Sequence, residues 1–188
     1  MHEEKDTLDW SVREAKLRKI LSSYRKRSGT RHDCVVPITG GKDSYFIVDQ
    51  VKNVYGLNPL VVSFNKQYNT VQGIRNVQYL KTQFGVDHLE LTINPEMAKK
   101  LVRHTFDKMG SIYWHIHAGQ KTFPVQIAAR MKIPLIIWGH HQGLDQVGMF
   151  SHTDEVEMTR KYRKEHDLMG VEAEDLVSAK DGLPERDM

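Results

Sequence analysis

The segment VVPITGGKDS, residues 35–44, joins an apolar run to the start of a helical pattern. The apolar run is typical of a buried strand. It ends at a hydroxyl residue and a pair of glycines, which let the backbone turn tightly and approach a ligand closely. The helix that follows begins with free N–H groups and the positive end of its dipole, which attract an anion. The segment therefore predicts a phosphate-binding turn between a strand and a helix.

This turn does not match the two best-known phosphate loops. A Walker loop requires GxxxxGK followed by Ser or Thr, whereas Asp43 follows Lys42 here, and the dinucleotide pattern GxGxxG is also absent. The groups expected to hold pyrophosphate are the backbone N–H groups of Gly40, Gly41 and Lys42 and the hydroxyls of Thr39 and Ser44. We expect Lys42 to add positive charge, and Asp43 either to ligate Mg²⁺ or to cap the helix.

Length and composition indicate an ordinary globular protein. A chain of 188 residues suits one α/β domain, and 39% hydrophobic and 27% charged residues are typical of that class. No apolar run approaches the roughly 20 residues that cross a bilayer, and the first residues do not resemble a signal peptide. A single Cys excludes an intrachain disulfide, so a cytoplasmic location is expected. The net charge of +3 does not by itself indicate a nucleic-acid partner.

Strand and helix patterns alternate along most of the chain. The predicted strands are residues 33–38, 60–64, 86–91 and 134–138, and the predicted helices are residues 8–27, 43–56, 70–84, 95–109 and 122–131. The first helix is expected to be amphipathic, because its apolar residues recur at helical spacing: Leu8, Val12, Ala15, Ile20, Leu21 and Tyr24. Alternation of this kind predicts a parallel, doubly wound sheet in a domain spanning residues 1–150. We expect residues 110–119 to be irregular. Residues 151–188 are predicted to form a charged helical tail (helices at 154–166 and 171–178) without a broad apolar face.

In such sheets ligands bind beyond the carboxyl ends of the strands. Ser63, Phe64 and Asn65 end the second strand, where they either seat the adenine or form an ordinary strand end. Gly139 ends the fourth strand and would allow close approach to the nucleotide. The following His140 or His141 would contact phosphate, or would be satisfied locally as a loop histidine.

The aromatic segment YWHIHAG, residues 113–119, contains two histidines two positions apart. Side chains with this spacing point the same way if the backbone is extended. Three interpretations remain open for His115 and His117: a polar substrate site beside the nucleotide, a zinc site completed by His140 or His141, or structural packing.

The TGGKDS turn resembles the SGGxDS loop of the ATP pyrophosphatase (PP-loop) superfamily, with Thr39 in place of the first Ser. Together with YWHIHAG and FPVQIAARMKIPLIIWG, it makes the chain similar to the N-acetyl sugar amidotransferases of lipopolysaccharide O-antigen and flagellin-sugar biosynthesis. The resemblance implies an adenine-nucleotide α-hydrolase-like fold that uses ATP and Mg²⁺. It also implies an enzyme that adenylates the N-acetyl group of a nucleotide- or lipid-linked sugar and replaces the oxygen with ammonia, giving an acetamidino sugar.

The same resemblance implies roles and partners. Lys42 and Asp43 would act on the phosphates, and His115 or His117 would position the acetamido group or shuttle a proton. The sequence contains no recognisable glutaminase, so separate glutaminase and ammonia-channel subunits are expected, without membrane insertion or a nucleic-acid partner. Two alternatives remain open. One is a tRNA-modifying enzyme of the thiolation or lysidine type, because GHHQGLDQ resembles a GHHxxDQ stretch of such enzymes with one residue inserted. The other is a non-catalytic nucleotide-binding subunit.

Overall fold

A computed structural model describes residues 8–25, 31–140 and 159–176. We number its helices and strands in chain order. They are α1 (Trp10–Tyr24), β1 (Cys34–Pro37), α2 (Lys42–Asp49) with a π-helical continuation (Gln50–Val54), β2 (Pro59–Phe64), α3 (Val71–Phe84), β3 (Asp87–Leu91), α4 (Pro95–Met109), α5 (Trp114–Arg130), α6 (Arg160–Tyr162) with a π-helical continuation (Arg163–Asp167), and a 3₁₀ turn (Ala173–Leu176).

The described residues group into two compact units. The first unit takes its residues from Met1–Ser63, Thr70–Leu89 and Pro124–Glu157. The second takes its residues from Phe64–Asn69, Glu90–Phe123 and Met158–Met188. The predicted boundary between a domain of residues 1–150 and a tail of residues 151–188 lies outside the described residues.

The sheet has the strand order β1-β2-β3, and β1 runs parallel to β2 in a register that pairs Val35 with Leu60. On its other side, Val35 forms an isolated parallel bridge with Ile136. The Val35 N–H donates to the carbonyl of Leu135, and the Ile137 N–H donates to the carbonyl of Val35, both at 2.9 Å. The predicted fourth strand is therefore reduced to one bridge. The predicted α/β class with a parallel sheet is confirmed.

Strands β1 and β2 are buried on both faces, whereas β3 is mostly exposed. Alternate strand residues enter a hydrophobic core with residues of α1, α2 and α3, namely Cys34, Val36, Ile38 and Val61 from the strands and Leu21, Val48, Leu80 and Phe84 from the helices. The intervening residues point to the opposite face. They are also buried, since Val35, Leu60 and Val62 are at most 2% exposed. Burial on both faces is what a doubly wound sheet requires.

Helix α1 differs from the predicted amphipathic helix. Its N-cap is Asp9, whose carboxylate accepts the N–H groups of Ser11 and Val12. Leu21 is buried, but Val12 is 63% exposed. At 3.6 residues per turn, nine positions separate these two side chains by about half a turn, so they lie on opposite sides of the helix. The apolar residues do not form one stripe, which is why the expected buried face does not exist.

Residues 110–113 are irregular as predicted, but residues 114–119 are helical, because helix α5 begins at Trp114. The N–H groups of Ile116 and His117 both donate to the carbonyl of Tyr113 at 3.0 Å, which forms the first turn. The predicted helix at residues 122–131 is the second half of α5. In a helix, residues two positions apart diverge by about 200°. The backbone here is helical and not extended, so the condition under which His115 and His117 would point the same way is not met.

The described part of the tail contributes to the core of the second unit. Tyr162 is 7% exposed and Leu176 is fully buried. The Trp114 indole N–H donates to the carbonyl of Leu168 at 3.0 Å, which ties the tail to α5. These two side chains are buried in a tail for which the sequence predicted no broad apolar face. The rest of the predicted tail helices lies outside the described residues.

Within the described ranges, no helix combines the length and the apolar character needed to cross a membrane.

Candidate functional site

The turn after β1 is closed by its own side chains. The backbone N–H of Thr39 donates to Ser44 Oγ at 2.9 Å, and the two hydroxyl oxygens lie 3.5 Å apart. Ser44 is buried, whereas Thr39 is exposed. The strand before the turn is held in the sheet because the Ile38 N–H donates to the carbonyl of Val62 at 2.9 Å. The structure therefore presents the Thr39 side chain to solvent on a turn that is fixed at both ends.

Gly40 is required by two independent features of the turn. Its φ of +79° lies in the left-handed region, which residues with a Cβ rarely adopt. A Cβ on Gly40 would also lie 2.7 Å from Val77 Cγ2 of α3. Helix α3 therefore backs the turn, and the Tyr45 hydroxyl fastens α2 to α3 by donating to the carbonyl of Asn76 at 2.7 Å.

The first turn of α2 faces outward with free N–H groups. Gly41 is the N-cap and supplies no side-chain cap. Its carbonyl accepts the N–H of Ser44 at 3.0 Å, which is the first donor within the helix. The N–H groups of Lys42 and Asp43 come before this donor and have no acceptor inside the helix. This is the arrangement that binds phosphate at a helix N-terminus.

Two charged side chains flank this helix start. Lys42 Nζ lies 3.0 Å from Asp43 Oδ1, and the side chains are 92% and 73% exposed. A pair this exposed contributes little to stability, so either side chain can turn to a ligand at low cost. Because Gly41 is the N-cap, Asp43 is not. The carboxylate of Asp43 is thus available for a cation.

The predicted phosphate contact after the fourth strand is described only in part. Gly139 lies against α2, because a Cβ there would be 3.4 Å from Ile47 Cγ2. The exposed His140 ring packs edge-on against Trp138, with ring centroids 5.8 Å apart. His141, Asp145 and Gln146 lie outside the described residues.

The end of β2 is occupied by structural contacts. Ser63 is buried in the first unit, and its hydroxyl lies 2.8 Å from His88 Nε2. Phe64 belongs to the second unit, where its ring contacts the backbone of Gly119, since a Cβ at Gly119 would lie 2.3 Å from the ring. The Asn65 side chain accepts the N–H of Gln67 at 2.9 Å. Its amide also donates to Thr92 Oγ1 at 3.1 Å.

The two histidines of α5 have different environments in the second unit. His115 is 5% exposed, and its Nδ1 is buried without a hydrogen-bond partner among the described residues. Burial lowers the pKa of His115 below its usual value of 6.5. His117 is exposed. Only His115 thus has the properties of a neutral imidazole held away from water.

The described residues offer Mg²⁺ a ligand beside the phosphate-type turn, the exposed carboxylate of Asp43. They contain no group of three or more His, Cys, Asp or Glu side chains that would hold a metal. Magnesium needs only one or two carboxylates when phosphates supply the remaining oxygens, and the exposed Asp43 carboxylate at a helix start meets that need. Asp43 would hold the cation together with the phosphates.

Sequence reasoning missed the parts of the site that support the turn from elsewhere in the chain. Val77 of α3 packs on Gly40, and His88 holds Ser63. The only sequence signal for Val77 was its place on the apolar face of a helix, which does not say what that face covers. His88 follows Asp87 at the start of a strand, and nothing local indicates a partner 25 residues earlier.

Comparison with known proteins gives limited coverage. No family model matches the chain. Over 68 residues it is 32% identical to the uncharacterized protein MJ1599 of Methanocaldococcus jannaschii, a stretch that makes up 36% of this chain and 24% of that protein. The chain thus spans about a quarter of the curated relative.

Two solved structures are similar to 68% of the chain. One is an NH3-dependent NAD synthetase from Campylobacter jejuni subsp. jejuni NCTC 11168 in complex with the nitrate ion, with a TM-score of 0.48, 12% identity and 56% of that chain covered. The other is the NMN synthetase from Francisella tularensis, with a TM-score of 0.44, 17% identity and 53% of that chain covered. The strands and helices of the chain itself define its class, an α/β protein with a parallel sheet.

Proposed function

We propose that the chain is an ATP-dependent amidotransferase of the PP-loop type, which forms AMP and pyrophosphate and acts on the N-acetyl group of a nucleotide- or lipid-linked sugar in surface-polysaccharide biosynthesis. The observation that carries the proposal is the turn from Thr39 to Ser44. It combines a left-handed glycine, an uncapped helix start and a buried hydroxyl that closes the loop. The sugar substrate is suggested by the resemblance of YWHIHAG and IPLIIWG to the amidotransferases.

The first chemical step uses the turn. The amide oxygen of the N-acetyl group attacks the α-phosphorus of ATP, the bond to the bridging oxygen breaks, and pyrophosphate leaves. The N–H groups of Lys42 and Asp43 and the Lys42 ammonium oppose the negative charge that accumulates on the phosphates. Mg²⁺, held by Asp43 and the phosphates, would add further charge neutralisation.

The second step replaces the adenylated oxygen. Ammonia forms a bond to the activated carbon, AMP departs with the former amide oxygen, and the product is an acetamidino group. The attacking nitrogen must lose protons as the bond forms. The resemblance of YWHIHAG to the amidotransferases assigns this proton transfer to His115 or His117.

The decisive experiment supplies the full chain with ATP, Mg²⁺, an ammonium salt and a nucleotide-linked N-acetyl sugar, and measures nucleotide products by chromatography. AMP and pyrophosphate should form only when the acetamido sugar is present. Formation of ADP and phosphate would contradict the proposal, and AMP formation that depends on tRNA would favour the tRNA-modifying alternative.

A matched pair of variants connects this activity to the turn. Asp43→Ala should lower turnover by about tenfold or more, because the cation loses its protein ligand. Asp49→Ala is the control, since Asp49 lies at the other end of α2 and only accepts the Asn53 side-chain amide at 2.7 Å. Equal activity of the two variants would remove Asp43 from the mechanism.

A further inference from the structure

Tyr45 lies in the first turn of α2, directly after Ser44, and its side chain is anchored to α3 within the first unit. Its hydroxyl donates to the carbonyl of Asn76 at 2.7 Å, although the two residues are 31 positions apart. Its ring packs edge-on against Phe84, with ring centroids 6.1 Å apart, and is partly buried against the core. Asn76 and Phe84 are separated by about 12 Å along the helix axis, so the side chain contacts α3 about two turns apart.

The hydroxyl of Tyr45 is not needed to complete the backbone of α3. In a helix the Asn76 carbonyl accepts the N–H four positions later, and its second lone pair receives the Tyr45 hydroxyl. Loss of the hydroxyl would therefore leave no buried acceptor without a partner, and the ring would keep its contact with Phe84. Removing the hydroxyl should cost little stability, so its role in the position of α2 can be measured separately.

The same part of α3 also contacts the glycine of the phosphate-type turn. A Cβ on Gly40 would lie 2.7 Å from Val77 Cγ2 and 3.5 Å from the carbonyl oxygen of Gly73. Residues three and four positions apart are neighbours on a helix, so Gly73, Asn76 and Val77 form one local surface of α3. This surface contacts the turn through Gly40 and the start of α2 through Tyr45.

Phosphate binding requires these two parts of the turn to keep their relative position. The N–H groups of Gly40 and Lys42 bind one phosphate together only if both point at it. The Gly41 carbonyl accepts the N–H of Tyr45 at 3.4 Å and that of Ser44 at 3.0 Å, so the Tyr45 backbone belongs to the first turn of α2. A shift of α2 along α3 would move Lys42 away from Gly40, because Gly40 is packed on α3 itself.

We propose that Tyr45 is a positioning residue for nucleotide binding. Its hydroxyl, held by the Asn76 carbonyl, fixes the start of α2 relative to Gly40, so that the N–H groups of the turn and of the helix meet the same phosphate. The inference rests on the proposed function in taking the turn as the site of the ATP phosphates, and it does not depend on the identity of the sugar.

The test substitutes Tyr45→Phe in the full chain, which removes the hydroxyl and keeps the ring. Calorimetric titration with ATP and Mg²⁺ should show an affinity lowered by about threefold to tenfold, the effect of one hydrogen bond. The KM for ATP in AMP formation should rise by a similar factor, whereas the KM for the acetamido sugar should stay within about twofold. An unchanged affinity for ATP, or an equal rise in both KM values, would overturn the inference.

Two control variants separate positioning from stability. Tyr55→Phe makes the same change at the far end of the π-helical continuation of α2, where the ring faces the Arg18 guanidinium at 5.1 Å, and ATP affinity should stay within about twofold. Val51→Ala opens a cavity in the core, since Val51 is 1% exposed, and should lower the urea midpoint without changing ATP affinity. If Val51→Ala weakens ATP binding as much as Tyr45→Phe does, the effect is one of stability and the inference fails.

An NMR titration with inorganic pyrophosphate follows the turn without catalysis, through the amide signals of Gly40 and Lys42. Weaker pyrophosphate binding in Tyr45→Phe, without sugar-dependent AMP formation by the parent, would retain the positioning role and reject the amidotransferase. Sugar-dependent AMP formation, with equal pyrophosphate binding by parent and variant, would retain the amidotransferase and reject the positioning role. Absence of shifts at both signals in the parent would also overturn the inference, because the turn would then hold no phosphate.

Discussion

Ser44 Oγ accepts the backbone N–H of Thr39, five positions earlier in the chain, at 2.9 Å, and so closes the phosphate-type turn. The hydroxyl that a phosphate would contact is thus already used to shape the turn. Ser44 is buried on the first turn of α2, so the bond joins the end of β1 to the start of the helix. The geometry of the turn exists before any ligand arrives, which reduces the entropy cost of binding.

Ser44→Ala should therefore affect both stability and nucleotide binding. Loss of the acceptor leaves the Thr39 N–H without its partner and should lower the free energy of unfolding by about 1 kcal/mol. ATP affinity should fall as well, because the turn loses its closure. Urea denaturation and calorimetry measure the two effects, and Thr39→Ser, which keeps a hydroxyl, is the control. A variant that matches the parent in both measurements would show that the bond has no role.

Gly40→Ala should destabilise the protein by about 1–3 kcal/mol, because a Cβ residue must adopt a positive φ. The contact with Val77 Cγ2, at 2.7 Å from the added Cβ, adds to the cost. Gly41→Ala is the control. Its φ is −81° and the nearest atom to its added Cβ is 3.8 Å away, so it should cost less than about 1 kcal/mol. Thermal unfolding that ranks the two variants equally would contradict this account.

Gly119→Ala should be destabilising even though it lies inside a helix. Helix propensity alone favours Ala over Gly by about 1 kcal/mol. The added Cβ, however, would lie 2.3 Å from the Phe64 ring, and overpacking of this kind costs about 1–3 kcal/mol. In a Phe64→Ala background the same substitution should become neutral or stabilising. A double-mutant cycle by chemical denaturation checks this, and additive effects would show that the two residues do not interact.

The free energy of unfolding should decrease as the pH falls below about 6.5, in part because of His115. Burial lowers its pKa in the folded state, so the unfolded chain binds the proton more readily. The stabilisation that comes from a neutral His115 is fully present above pH 6.5, the pKa of this side chain in the unfolded protein. It is lost as the pH falls through the lower pKa of the folded state. His115→Gln should flatten this part of the stability profile, whereas His117→Gln at an exposed position should leave it unchanged. Denaturation between pH 5 and 8 makes the comparison, and identical profiles for both variants would be inconsistent with it.

Cys34 should resist thiol reagents until the first unit opens. It is fully buried in β1, and burial together with the neighbouring Asp33 raises its pKa to about 12. The thiolate is the reactive form, so labelling at pH 8 should be slow in buffer and complete in denaturant. The chain has a single Cys, so the absorbance of an aromatic disulfide reagent reports this site alone. Rapid labelling of the native protein would show that the core around β1 is open.

The elements that were predicted correctly are those whose ends are determined by neighbouring residues in the chain. Helix α4 runs from Pro95 to Met109 as predicted, because Pro suits the first helical position and Gly110 ends the helix in the left-handed conformation. Helix α3 ends in the same way at Gly85. The turn after β1 follows from hydroxyl, glycine and charged residues that are adjacent in the chain.

Most of the wrong predictions concern elements that depend on contacts between residues distant in the chain. The helical start of α5 is supported by the Trp114 bond to Leu168, 54 residues later, so the segment around it lacked a local signal. Helix α1 is an exception, because its error was local. The angles between its apolar side chains follow from their positions in the sequence, and they show that these side chains do not form one stripe. The fourth strand is limited to the bridge between Val35 and Ile136, which depends on the neighbouring strand.

The order of residues alone determined the strand, the glycine turn and the helix start, because each requires only the torsional preferences and hydrogen-bonding groups of neighbouring residues. Tertiary structure decided the rest. It placed Val77 against Gly40 and fitted the Phe64 ring onto Gly119. Such contacts join residues that are far apart in sequence, and only packing of the folded chain determines which of them meet.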